Sequence, residues 1–185
     1  MQSIYQKRGT PIMKSKTLWV TQTAVLVALL IVLQATTSAA GQIVTGSCVN
    51  AVLAVAALFG GLWCGLTVAV ISPFCAFALG IGPQLIAIVP AIALGNAVYV
   101  AVLSFLNQGQ PTASGKVLMW LGASCGKFAT LYLVVVQLLC RVLPLKEAQV
   151  NTFSTMFSFP QLITALIGGA VALLIVPVLK KALKK

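Results

Sequence analysis

Long apolar runs, broken at intervals by glycine, proline or a few polar residues, make up most of the chain. A membrane-crossing helix needs about 20 consecutive, mostly apolar residues. The runs divide into six such helices, over Leu18 to Ser38, Ser47 to Phe59, Leu62 to Leu79, Gln84 to Leu106, Val117 to Arg141 and Phe159 to Leu179. The second is short. The connections are too brief to hold a further domain, so the expected fold is all-α: one compact bundle of six transmembrane helices. It is framed by basic segments at residues 1–16 and 180–185, with the membrane domain at 17–179. No internal repeat of fixed period and no low-complexity segment is present.

Composition sharpens this picture. Of 185 residues 60% are hydrophobic and only 7% are charged, too few charges to clothe a soluble surface of this size. The basic residues gather at span ends rather than over a face that would suit nucleic acid. Lys7, Arg8, Lys14 and Lys16 precede the first span, Lys116 precedes the fifth, and Lys180, Lys181, Lys184 and Lys185 follow the last. With six spans all of these fall on one side and only Arg141 and Lys146 on the other, which predicts that both termini are cytoplasmic. Five or seven spans would separate the two terminal clusters. A basic start, an apolar run and Ser38-Ala39-Ala40 also imitate a cleavable signal peptide, but the apolar stretch is long for that role and five more spans follow. The expected location is a bacterial cell membrane.

Cys48, Cys64, Cys75, Cys125 and Cys140 are scattered, form no C-x-x-C pair, and stand in a chain with no histidine. A metal or redox site has little to build on, and the cysteines read as small hydrophobes between helices. No cofactor is implied.

The notable charge is Lys127, inside GASCGKFATLYLVVVQLLCR (Gly122 to Arg141). A phosphate-binding loop needs G-x-x-x-x-G-K-[ST], whereas here Gly122 and Gly126 are four apart and Phe128 follows the lysine. The two glycines read instead as a small-residue pair for close helix packing, as do Gly61 and Gly65. In helical steps Lys127, Thr130, Val134, Gln137 and Arg141 share one side of the fifth span. Lys127 then lies near mid-bilayer and Arg141 at the outer boundary, so the polar stripe covers only the outer half. Such a face implies a pocket open to the exterior. Asn96 lies about 18 Å down the fourth span from Gln84, close to the depth of Lys127. Nearer the outer end stand Gln42, Thr45, Asn50, Gln84, Gln161 and Thr164. Burying an unpaired ammonium costs about 3 kcal/mol on insertion scales, and the one acid, Glu147, is a poor partner in an outer loop. Lys127 is therefore expected to be neutral, to be solvated by Asn96 and water, or to meet an anionic group of a ligand. Ala39 to Gly46 and Val142 to Ser158 are long enough to fold over a site.

The shortage of acids excludes classes of function. No span carries the carboxylate that proton- or sodium-coupled carriers use, and no histidine, carboxylate pair or triad supports an enzyme. Uptake by this chain must be passive or driven by another protein.

A basic start, six short spans in under 200 residues, Ala24-x-x-x-Ala28 in the first helix, and the stretches GQIVTGSCVNAVLAV, GLTVAVISPF and ALGNAVYV resemble the substrate-binding S component of an energy-coupling factor (ECF) vitamin transporter. The resemblance covers nearly the whole chain in layout. It implies an outward pocket for a vitamin or related micronutrient, closed by lid loops, and partners that supply the energy: a membrane coupling subunit and two ATPases. Ala24 and Ala28 would face the coupling subunit. The candidate ligand residues become Lys127, Asn96, Thr130, Gln137, Gln84, Gln42, Asn50, Gln161 and Thr164. No motif diagnostic of thiamin, riboflavin, biotin or cobalt binding is present. Two other readings stand beside this one: an autonomous facilitator or small channel, and a non-transporting membrane scaffold held by the glycine pairs.

Overall fold

The computed structural model describes residues 11–109 and 112–183, with side chains from residue 16 onward. Lys7, Arg8, Lys184 and Lys185 lie outside the described residues. The described chain is helical, without strands, and runs in order α1 (Pro11–Thr37), α2 (Gln42–Val55), α3 (Leu62–Ala78), α4 (Val89–Asn107), α5 (Ala113–Leu131), α6 (Glu147–Met156) and α7 (Phe159–Ala182). Five stretches are long and apolar enough to cross a membrane: Lys16–Ala40, Gln42–Gly60, Ile86–Asn107, Ala113–Val142 and Glu147–Ala182. Helix α3 is apolar too, but only 17 residues long.

The breaks between helices have local causes. Gly41 and Gly61 take φ of 88° and 86°, values that L side chains resist, so the chain turns sharply there. The α3–α4 turn uses Gly80 and Gly82 in the same way, followed by Pro83. Helix α5 starts where the Thr112 hydroxyl accepts a hydrogen bond from the Gly115 amide at 3.3 Å, a side-chain cap on an otherwise unpaired donor.

Several expected boundaries shift. The segment Ala39 to Gly46 is not a loop: a single 3-10 turn, Ser38–Ala40, leads through Gly41 straight into α2, because one glycine suffices for the reversal. Helix α4 begins at Val89 after a 3-10 turn at Ile86–Ile88, later than Gln84, since the Gly-Pro turn ahead of it is still extended at Leu85. Pro90 thus falls in the first turn of α4, where a proline costs nothing. Pro73 and Pro177 lie inside α3 and α7.

The stretch Val142 to Ser158 contains an additional helix, α6. Its Val150, Phe153 and Met156 lie on one side, at spacings of three. Phe153 and Phe157 are buried against Ile88, Ala91, Leu131 and Val135, so α6 lies as a cover across one end of the bundle.

Two helices leave α geometry. Ala56–Gly60 continues α2 as a π-helical turn, and Tyr132–Leu139 continues α5 as a longer π-helical stretch before a last turn at Cys140–Val142. The wider π turn changes which side chains face inward. In the π-helical stretch Val135 is buried while Val134 and Gln137 are only partly covered; ahead of it, still in α geometry, Leu131 is buried and Thr130 only partly covered. The expected polar stripe on this helix is therefore rotated off the interior.

The main core joins Leu30, Leu53, Val68, Tyr99, Leu103, Met119 and Ala172 and fills the half of the bundle away from α6. Helices α2 and α7 approach most closely. A Cβ on Gly168 would stand 2.5 Å from Asn50 Cβ and 2.6 Å from the Ala51 amide nitrogen. The pair Gly122 and Gly126 has no such role within this bundle: a Cβ on Gly122 would meet nothing within 4 Å, and one on Gly126 would be in ordinary contact with Val98. Outward faces carry large apolar side chains, among them Val25, Val32, Trp63, Leu118 and Leu174. A surface of that kind suits a lipid bilayer and not water.

Candidate functional site

Between the core and α6 lies a cavity of about 250 Å³. Its walls are largely apolar and include Val49, Pro73, Phe77, Ile92 and Phe157. Polar groups enter from five helices: Gln34 from α1, Gln42, Thr45 and Asn50 from α2, Ser72 from α3, Asn96 from α4 and Lys127 from α5. Gln161 of α7 stands at the rim under α6. A mostly apolar pocket with a few convergent polar groups is the usual form of a small-molecule site.

Lys127 forms part of the floor and is only 3% exposed. Its Nζ donates to Asn50 Oδ1 at 2.5 Å and to Asn96 Oδ1 at 2.7 Å, and it sits 5.7 Å from the centroid of the Tyr99 ring. Two amide oxygens and an aromatic face thus replace a counter-ion. Glu147, the only acid in the chain, is exposed at the start of α6 and does not line the cavity.

Both asparagines are held with their oxygens toward the lysine, because their nitrogens are engaged elsewhere. Asn50 Nδ2 donates to Thr164 Oγ1 at 3.1 Å, and that hydroxyl donates to the Gln161 carbonyl at 3.1 Å. Asn96 Nδ2 makes a long 3.5 Å bond to the Ala69 carbonyl. That carbonyl is open because the residue four positions on is Pro73, which has no N–H to return to it. A proline in α3 therefore sets the orientation of an amide on α4. Reversing either amide would turn an NH2 group on the ammonium.

The rim is organised around one backbone oxygen. Gln42 Nε2 donates to the Met156 carbonyl at 2.6 Å, and Gln161 Nε2 donates to the same carbonyl at 3.2 Å. The C-terminus of α6 is thereby tied to both α2 and α7.

Of the residues expected from the sequence, Lys127, Asn96, Asn50, Gln42 and Gln161 line the cavity. Thr164 is buried just behind Asn50. Thr130, Gln137 and Gln84 are outside the lining. Thr130 donates back to the Gly126 carbonyl of its own helix. Gln137 donates to the Tyr132 hydroxyl and accepts from Arg141, and Gln84 is exposed in the α3–α4 turn. Ala24 and Ala28 are both exposed on the outer face of α1. Sequence reasoning passed over Gln34, Ser72 and Tyr99. A glutamine and a serine within otherwise apolar spans were the available signal, whereas nothing marked Tyr99 as lying under the lysine.

The cavity does not continue through the bundle. Tyr99, Leu53, Ala123, Met119 and Ala172 are buried in the layer beneath the floor, and the Tyr99 hydroxyl is anchored to the Ala165 carbonyl at 3.0 Å. A separate recess of about 180 Å³ at the far end is lined by Leu58, Asn107, Lys116, Met119, Leu173, Val176, Pro177 and Lys180. Among the described residues no group of His, Cys, Asp and Glu is placed to hold a metal. The fold and site together define, among the described residues, an all-helical protein with apolar helices of membrane-crossing length and a blind polar-floored cavity. No protein-family profile, curated protein or solved structure gives a significant match to the chain.

Proposed function

We propose that this protein is a substrate-binding membrane subunit of the ECF S-component kind, which captures a small solute such as a vitamin in the cavity beneath α6 and releases it inward only with its partners. The observation that carries this reading is the blind cavity: it opens toward the α6 end and is closed below by packed side chains. A channel needs a continuous route to both sides, and a scaffold needs no cavity.

In this reading the chain crosses the bilayer six times. Helix α3, with 17 residues, spans about 26 Å at 1.5 Å per residue, at the short end of what a crossing requires. Both termini then lie on the cytoplasmic side, with Lys16, Lys116, Lys180 and Lys181, while Arg141 and Lys146 lie outside beside α6. The one acid, Glu147, stands exposed at the start of α6, outside the six crossings of this reading, so no crossing offers a carboxylate to bind a coupling ion. The energy would come from a membrane coupling subunit and two ATPases, and the exposed Ala24 and Ala28 offer that subunit a surface with small side chains. The setting is a bacterial plasma membrane.

A thermal-shift screen of the purified protein against vitamins and their precursors tests the reading. A true ligand at 100 times its Kd raises stability by about 2.7 kcal/mol. No stabilisation by any compound would remove the proposal. Equilibration of the stabilising solute across liposomes holding this chain alone would replace it with a facilitator.

A further inference from the structure

Two polar atoms in the cavity wall are buried without a hydrogen-bond partner: Gln34 Oε1 and Ser72 Oγ. Gln34 is 7% exposed and Ser72 1%. Such groups are rare in folded proteins and each one needs a reason. Ser72 is unusual within this protein as well. Thr21, Thr23, Thr36, Thr67, Ser124 and Thr130 all return their hydroxyl to the carbonyl four residues back, and Ser72 does not. Ser47 is likewise unpartnered but lies off the cavity.

We propose that the cavity selects a small monocarboxylate bearing a neutral N–H or O–H donor away from its acid group, with the carboxylate between Lys127 and Ser72 and the donor on Gln34. This rests on the capture reading given above and narrows it to a chemical class.

The argument is a matching of donors, acceptors and charge. An ammonium has three N–H donors, and two of those on Lys127 are held by the asparagines. One ammonium donor and the Ser72 hydroxyl remain, which equals the two oxygens of a carboxylate. A phosphate brings three acceptor oxygens and up to two charges at neutral pH, and among the described lining residues Lys127 is the only charged side chain. The second charge would be buried without a partner, at a cost of several kcal/mol. A cationic ligand fails for the opposite reason, since it would share the cavity with an ammonium and meet no acid among the described lining residues. Gln34 Oε1 is an acceptor and requires a donor from the ligand, while apolar Val49, Pro73, Phe77 and Ile92 surround the middle. Size narrows the class further. At about 250 Å³ the cavity falls just below the roughly 300 Å³ at which drug-sized pockets begin.

The test uses the purified full-length protein and isothermal titration of size-matched sets. The first set is para-hydroxyphenylacetate with its O-methyl ether, its amide, tyramine and para-hydroxyphenyl phosphate, followed by other small acids arranged in the same way. Binding confined to monocarboxylates that keep their donor supports the proposal. Tightest binding by a phosphate, an amine or a neutral amide overturns the proposed class and leaves capture standing. Binding by no set, together with a negative vitamin screen, removes both.

With the tightest acid in hand, Ser72→Ala is expected to weaken binding roughly 10-fold or more, as loss of one hydrogen bond to a charged group should. Gln34→Met should weaken it several-fold and abolish the preference for the free donor over its methyl ether. Neither variant should lower the melting temperature of the ligand-free protein, because each removes a polar group that has no protein partner. Reduced ligand-free stability with unchanged affinity would show the two side chains to be structural and would refute the assignment.

Discussion

The clearest quantitative consequence of the cavity floor is a coupling between Asn50 and Lys127. Replacing Asn50 by Ala removes the 2.5 Å acceptor of the ammonium, and a hydrogen bond to a charged group contributes about 1.5–3 kcal/mol. Replacing Lys127 by Met has opposed effects. It strands two buried amide oxygens at about 1–3 kcal/mol each and relieves a buried ammonium whose insertion costs about 3 kcal/mol. The single Lys127→Met change is therefore expected to fall between a gain of about 1 and a loss of about 3 kcal/mol. In that background Asn50→Ala no longer costs a charged bond. It removes one of the stranded oxygens, and its effect should fall below about 1 kcal/mol. Loss of the Asn50 bond to Thr164 occurs in both arms and cancels. The double-mutant cycle should then return a coupling of about 0.5–3 kcal/mol, against an average of about 0.6 kcal/mol for polar pairs between membrane helices. Equilibrium unfolding in mixed micelles by SDS titration, followed by circular dichroism, measures all four species. Additivity within about 0.5 kcal/mol would mean that the ammonium does not depend on Asn50, and the account of the floor would be wrong.

Other predictions follow from the packing and the cover. Gly168→Ala places a methyl 2.5 Å from Asn50 Cβ and should cost about 1–3 kcal/mol by overpacking, lowering the melting temperature by several degrees. Gly122→Ala meets nothing within 4 Å and should be neutral or stabilising by up to about 1 kcal/mol; a matching loss from both would restore the role expected for Gly122. In a cysteine-free background, Thr152→Cys should react with an impermeant maleimide in intact cells and Ser114→Cys only after permeabilisation, and the reverse pattern would refute the six-span orientation. Gln42→Leu together with Gln161→Leu should speed amide hydrogen exchange in α6 while leaving α3 and α4 unchanged.

What the sequence disclosed depended on the physics each feature obeys. Bilayer-length apolar runs mark α1, α4, α5 and α7 because the length requirement is strict, and even the 17-residue α3 was bounded within one residue, whereas α2, expected as a short run from Ser47, starts at Gln42. Depth was legible for the same reason: a fixed rise per residue put Asn96 level with Lys127, and the two are hydrogen-bonded. Azimuth was not legible. Counting around α5 assumed 3.6 residues per turn, but the π-helical stretch from Tyr132 carries Val135 inward and Gln137 out. Helix α6 escaped because ten residues with large apolar side chains only at Val150, Phe153 and Met156 offer no long run. The glycine pair at 122 and 126 and the contact at Gly168 show that spacing alone does not distinguish a glycine at an interface from one facing outward. The link from Pro73 through Ala69 to Asn96 joins two helices, and no pattern along one strand of sequence contains it.

The shared acceptor at Met156 has a consequence for timing. Since Gln42 and Gln161 hold the same oxygen, withdrawing α6 deprives two amides at once, and slackening one side leaves the other still fastened. The mouth should accordingly behave as a latch with a shut and an open setting, and a captured molecule would leave in discrete escapes at a rate set by how often both ties fail together.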